Sequence, residues 1–133
     1  MARKARISTA ALVLLREEGR HAWTLEELHD GLTARGFDCD FSSVFRATEK
    51  LVAEGAVRKI VLDDGRARLE LEGAHHDHLY CRRCNRIVPI PCVIGLGDIV
   101  ALERAAGVAV TDHHLVLNGI CRDCRAHARS DEA

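Results

Sequence analysis

The sequence predicts an α+β protein in two parts: an N-terminal winged helix-turn-helix over residues 1–72 and a small α/β domain over 73–133 that carries a four-cysteine zinc site. Three observations lead there. Three helical apolar stripes follow one another and end in an Asp-Gly hairpin signal. After Gly73 the pattern turns to short strands around one helix. Two CxxC pairs then bracket that second part, Cys81/Cys84 and Cys121/Cys124.

ISTAALVLLREEG reads as the first helix, with Ser8 as N-cap, Ile7, Ala11, Leu12, Leu14 and Leu15 as its apolar stripe and Gly19 as its stop. TLEELHDGLTARG is the second. Thr24 and Glu27 have the spacing of a capping box, Leu25, Leu28 and Leu32 share a face, and Gly36 closes it. FSSVFRATEKLVAEG is the third, starting at Ser42 or Ser43 with Val44, Leu51 and Val52 inward. AVRKIVL and RARLELE, joined through DDG, form the hairpin. In a winged helix the third helix enters the major groove and the hairpin flanks it. Ser42, Ser43, Arg46, Thr48 and Lys50 give this helix a polar face suited to phosphates and base edges. A plain solvated helix has the same pattern.

In the second part HDHLYC and RIVPIP read as strands, the latter tolerating Pro89 and Pro91 at an edge. IVALERAAG is a short helix ending at Gly107, VAVTDHHLVLNGIC a long strand, and RAHARSDEA a polar, frayed tail.

Composition bounds the rest. Hydrophobic content of 47% permits a core, although aromatic residues are 4% and aliphatic ones must fill it. A net charge of −1 does not announce a nucleic-acid binder; only the opening MARKAR is locally basic. No apolar run reaches the roughly 18–20 residues of a membrane span, and no secretory leader is evident, so a cytoplasmic location is expected. Six cysteines in a reducing compartment favour metal or redox chemistry over disulfides.

Two CxxC knuckles can direct four thiolates onto one tetrahedral zinc, with Zn–S near about 2.3 Å. A pair of redox dithiols is the competing reading, and no thioredoxin-like βαβ context supports it. HHDH carries a second argument. Alternate side chains on a strand face opposite ways, so His76 and His78 point to one side and His75 and Asp77 to the other. One short strand thereby feeds two sites. For the first, Glu70 at the end of the hairpin is a natural third ligand and His21 a fourth, which would tie the two domains together. For the second, His113 and Glu103 are candidates. Glu and His without thiolate suit Fe(II), Mn(II), Ni(II) or Zn(II). Cys92 would add sulfur and favour zinc; as a buried thiol it is equally a core residue, and so is Cys39. His29 and His127 read as ordinary hydrogen-bonded or surface residues.

The motifs SSVFRATEKLVAEGAVRKI, HHDHLYCRRC and TDHHLVLNGICRDC resemble the ferric uptake regulator family of metal-dependent transcription factors, over nearly the whole chain. The resemblance implies a homodimeric winged-helix repressor of metal-uptake genes. Its second domain would dimerise, and a regulatory metal would favour the form that binds double-stranded operator DNA. It places Cys81, Cys84, Cys121 and Cys124 on structural zinc, Glu70, His76 and His78 on the regulatory ion, and His75, Asp77 and His113 on a further site. Fe2+ or Mn2+ is the expected corepressor, with Zn2+, Ni2+ or peroxide sensing as alternatives, as is a DNA-binding protein whose zinc is only structural. Pro89 stands where the family often has an acidic residue, and Leu96 where it has a helix glutamate. STAA replaces a glutamine-arginine pair, so Arg3, Lys4 and Arg6 are the expected phosphate contacts.

An enzyme is the reading from another class. A zinc deaminase would show H-x-E and P-C-x-x-C, and the sequence has neither.

Overall fold

A computed structural model describes residues 2–17 and 20–132, with the side chains of 2–5 and 128–132 left out. Gly19, the expected stop of the first helix, lies outside the described residues. The chain divides after Gly73 into two compact units.

The first unit holds α1 (Ala2–Leu15), α2 (Leu25–Ala34), α3 (Phe41–Ala53) and the antiparallel strands β1 (Val57–Val61) and β2 (Ala67–Leu71). Ile7, Ala11, Leu14 and Leu15 of α1 meet Leu28 and Leu32 of α2 and Val44, Ala47 and Leu51 of α3 in one apolar cluster, with Trp23, Val57 and Leu69 against it. For the helices the i, i+3, i+4, i+7 spacing causes this, because it puts the side chains of each helix's stripe on its inward face. Trp23 also pairs with Leu69 through two backbone hydrogen bonds, which fasten the entry of α2 to the hairpin.

Local signals explain the ends. Thr24 and Glu27 exchange side chain–backbone hydrogen bonds at 3.1 and 2.8 Å, the reciprocal capping box. Gly36 follows α2 at φ +85°, a conformation that costs glycine little. Ser8 does not cap α1, which begins six residues earlier and runs through it. Asp40, not Ser42 or Ser43, caps α3, its carboxylate accepting from the Ser43 amide at 2.7 Å. Thr48 is a correction of helical phase. Four residues beyond buried Val44, it points inward, and its hydroxyl donates to the Phe45 carbonyl at 2.9 Å.

The second unit holds β3 (Asp77–Cys81), β4 (Ile87–Ile90), α4 (Leu96–Ala106), β5 (Val116–Gly119) and α5 (Arg122–Glu132). The sheet order is β4-β3-β5, with β3 central, antiparallel to β4 and parallel to β5. Pro89 sits opposite His78 on an edge strand, where a missing amide is tolerated. The long strand expected over 108–121 shrinks to four residues, because its ladder to β3 starts only where Leu115 accepts from the His78 amide. The expected frayed tail is helix α5. Asp123 favours its first turn, and the Arg125 amide bonds the Cys121 carbonyl, so the second knuckle also starts a helix. Among the described residues no helix is long and apolar enough to cross a membrane.

Candidate metal centres and DNA-reading helix

Cys81 ends β3, Cys84 lies in the turn after it, Cys121 follows β5, and Cys124 is in the first turn of α5. The parallel pairing of β3 with β5 sets the two knuckles side by side. Sγ–Sγ separations are 3.8 Å for Cys81–Cys124 and 3.7 Å for Cys84–Cys121, and all four sulfurs lie within 4.8 Å of one another. None of the six cysteines is in a disulfide. Burial pushes the Cys81 thiol up, but hydrogen bonds from the amides of Cys121, Cys84 and Arg83 outweigh it and bring it down to about 6. The Cys121 amide reaches its sulfur at 3.3 Å. Cys124, hydrogen-bonded to the Cys121 thiol and also burdened by burial, is pushed up to about 12. Four sulfurs so crowded share protons poorly, and a dication that takes several thiolates is the fit for such a donor set.

The expected regulatory ligands occur as two pairs. In the first unit His21 Nε2 lies 2.6 Å from Glu70 Oε2, and Glu70, on β2, is 1% exposed. In the second unit the rings of His76 and His78 meet edge to face with centroids 4.6 Å apart. His78 is wholly buried, and its Nδ1 is 2.7 Å from His114 Nε2. Strand alternation did not reveal that His114 orients His78; its place beside His113 was the only available hint.

Across β3 the side chains of His75, Asp77, Cys92 and His113 converge, with one ligand atom from each within 4.8 Å of the others. His75 Nε2 and His113 Nε2 are 3.0 Å apart, and Cys92 Sγ is 3.3 Å from His113 Nε2. Asp77 is fully buried. Its Oδ1 accepts from the Leu115 amide at 3.1 Å, while Oδ2 has no hydrogen bond of normal geometry and faces His113 at 3.8 Å. Burial works against ionisation of Asp77; the Leu115 amide, the two imidazoles and the Cys92 thiol outweigh it and hold the carboxyl below its usual range. Glu103 is a correction. Its carboxylate caps the Val110 amide at 3.0 Å at the end of α4 and is not in this group. Cys92 is exposed and not core, whereas Cys39 is buried in the first unit's cluster. His29 bonds the Cys39 carbonyl at 2.9 Å, and His127 is exposed.

On α3, Ser42, Arg46 and Lys50 are exposed and Ser43 partly so. Arg46 reaches the Ser43 hydroxyl at 3.4 Å, and Lys50 lies 3.8 Å from Glu54. Phe41 and Phe45, one turn apart, are 43% and 47% exposed on the same helix. Composition gave no reason to single them out; exposed aromatics next to a cation suit the thymine methyl in a groove. Arg6 is exposed on α1, and the side chains of Arg3 and Lys4 lie outside the described residues.

The model of the ferric uptake regulator family matches residues 4–118. The chain belongs to that family. The ferric uptake regulation protein of Legionella pneumophila is 30% identical over 115 residues, covering 86% of this chain and 85% of that protein. Among solved structures, the Helicobacter pylori ferric uptake regulator Fur, described as having three functional metal-binding sites, superposes with a TM-score of 0.78. It is 18% identical and covers 90% of this chain and 80% of its own. FurB of M. tuberculosis, a zinc uptake regulator, gives a TM-score of 0.53 at 26% identity, with 93% and 96% coverage. The two-part α+β fold of this chain is that of Fur, and the chain is a metal-responsive transcriptional regulator and not an enzyme.

Proposed function

We propose that this Fur-family protein is a homodimeric repressor that binds operator DNA of metal-uptake genes in the cytoplasm, with Fe(II) or Mn(II) as corepressor. Cys81, Cys84, Cys121 and Cys124 hold structural zinc; His21, Glu70, His76 and His78 are the ligands of the regulatory ion. The observation that carries this reading is that each half of the ligand set is already paired within its own unit: His21 with Glu70 at 2.6 Å, and His76 with His78 ring to ring. Three imidazoles and a carboxylate without sulfur suit a divalent ion harder than one that four thiolates would take.

Arg6, Ser42, Ser43, Arg46 and Lys50, with Arg3 and Lys4, are the DNA-contacting residues of this reading. Leu102, Val108 and Val110 leave apolar surface on the second unit at 61%, 61% and 41% exposure, which supports pairing with a second copy. In this reading α3 contacts the DNA, the histidines hold the ion, and the apolar face of the second unit pairs with a second copy.

The test starts with duplexes selected from a random pool with Mn(II) present. Binding by wild type and by His76→Ala is then titrated with and without EDTA. Wild type should bind only with metal, and His76→Ala should keep its zinc but lose the metal-dependent part. Equal, EDTA-insensitive binding by both would overturn the regulatory assignment and leave a DNA-binding protein with structural zinc.

A further inference from the structure

Cys92 has no role in the regulatory or four-cysteine sets. It follows β4, its side chain is exposed, and its sulfur is 3.3 Å from His113 Nε2. An exposed cysteine alone would carry little meaning. Asp77 is the second, independent observation: it is 0% exposed, and its Oδ2 makes no hydrogen bond of normal geometry while facing His113 Nε2 at 3.8 Å. A buried carboxylate oxygen left unsatisfied carries its full desolvation penalty. A cation seated among His75, Asp77, Cys92 and His113 would remove that cost.

We propose that Cys92 is the metal-selecting ligand of a two-histidine, one-aspartate, one-cysteine site, and that its thiolate makes this site choose Zn(II) over Fe(II) and Mn(II). Glu103, the glutamate that sequence spacing offered, is occupied with the Val110 amide and leaves the fourth position to sulfur. Carboxylate and imidazole alone accept any of the three ions, whereas a thiolate shifts the preference toward the softer one. Two nitrogens, one oxygen and one sulfur make four donors, the number of a closed tetrahedral zinc site. On binding, the Cys92 S–H bond breaks, the sulfur lone pair forms the bond to the ion, and the proton leaves to solvent. No electron is transferred. The inference rests on the reading that this chain works by binding divalent metal, and it needs no DNA.

The test uses the full chain, with its four-cysteine zinc in place after EDTA dialysis, titrated with Co(II). Wild type should develop a near-ultraviolet sulfur-to-cobalt charge-transfer band that Zn(II) abolishes. Cys92→Ser should lack that band, keep the four-cysteine zinc, and lose at least about tenfold in affinity for the further Zn(II), the loss that even outer-sphere changes commonly cause. Its Mn(II) affinity should change less. A band that persists in Cys92→Ser, unchanged zinc affinity, or no cobalt uptake beyond the zinc already held would overturn the inference. DNA titrations on the same samples separate the two readings. A Cys92-dependent band without metal-dependent DNA binding sinks the repressor, and the reverse result sinks the zinc site.

Discussion

The two units are held together by different chemistry. In the first, thirteen buried apolar residues from Ile7 to Leu69 form one cluster drawn from three helices, a hairpin and the segments that join them. In the second, the buried side chains among the described residues are Asp77, His78, Tyr80, Cys81 and Cys121, and α4 buries none of its residues. Leu96, Val93 and Leu102 of that unit are 82%, 64% and 61% exposed. Beside Tyr80, these thiols, the imidazole and the carboxylate do not gain stability by leaving water; bound ions would supply it. The first unit is thus built on apolar packing, whereas the second gathers candidate metal ligands inside and leaves apolar side chains exposed.

The largest expected break in that contrast is Cys121→Ser. Apparent zinc binding energies in small domains are about 10–16 kcal/mol, and that energy is also folding energy. The substitution should abolish zinc retention and the near-ultraviolet dichroism of Tyr80, the chain's single tyrosine, while the fluorescence of Trp23, its single tryptophan, stays native. A zinc-free protein with its Tyr80 signal intact would show that the second unit does not need the ion.

The mirror-image change is Leu28→Ala. Leu28 is 0% exposed in the first unit's cluster, so truncation should cost about 2–5 kcal/mol. Urea melts followed at Trp23 should shift to lower denaturant with zinc content unchanged.

A smaller effect belongs to Asp64, in the hairpin turn, whose carboxylate binds Arg68 of β2 at 2.7 Å; Arg68 is 4% exposed. The hydrogen bond to that guanidinium, against a modest burial cost and with help from the Arg66 amide, holds the Asp64 carboxyl below its usual 3.8. A lowered carboxylate value stabilises above the unfolded value and is lost as pH falls through the folded one. Asp64→Asn should therefore cost no more than about 1 kcal/mol at neutral pH, because Asp64 lies in an exposed turn where water screens the pair, and melts of the two proteins should converge only below pH 3.8. The same deficit at every pH would rule out this pair as its source.

Smallest for stability is Arg46→Ala on the exposed face of α3, expected within about 0.5 kcal/mol of wild type. Its effect should appear in DNA titrations, where losing one phosphate contact lowers the salt slope by about one. An unchanged slope and affinity would move the reading surface elsewhere.

What was legible in the sequence follows the same division. Apolar periodicity, the Thr24–Glu27 box and the Asp-Gly turn are local signals, and the first unit follows them closely. The polar type of Thr48 suggests an outward face that helical phase overrules, and the cap of α3 falls on Asp40 and not on Ser42 or Ser43, because it stands one residue ahead of the run. In the second unit, strand alternation separated His76 and His78 from His75 and Asp77. It was silent about Cys92 and Glu103, whose positions depend on the paths of the segments around 91–95 and 107–115. No periodicity encodes those paths. The polarity of the tail predicts fraying, yet a helix begins at the Cys121 knuckle.

The most direct test of the contrast is to strip zinc from the full chain with a strong thiol-competing chelator and follow Trp23 fluorescence and Tyr80 dichroism together. The expected result is loss of the Tyr80 signal in step with zinc release while Trp23 remains native, with the Tyr80 signal restored by added zinc. Simultaneous loss of both signals, or survival of both in zinc-free protein, would contradict the claim that one unit is built on apolar packing and the other on metal.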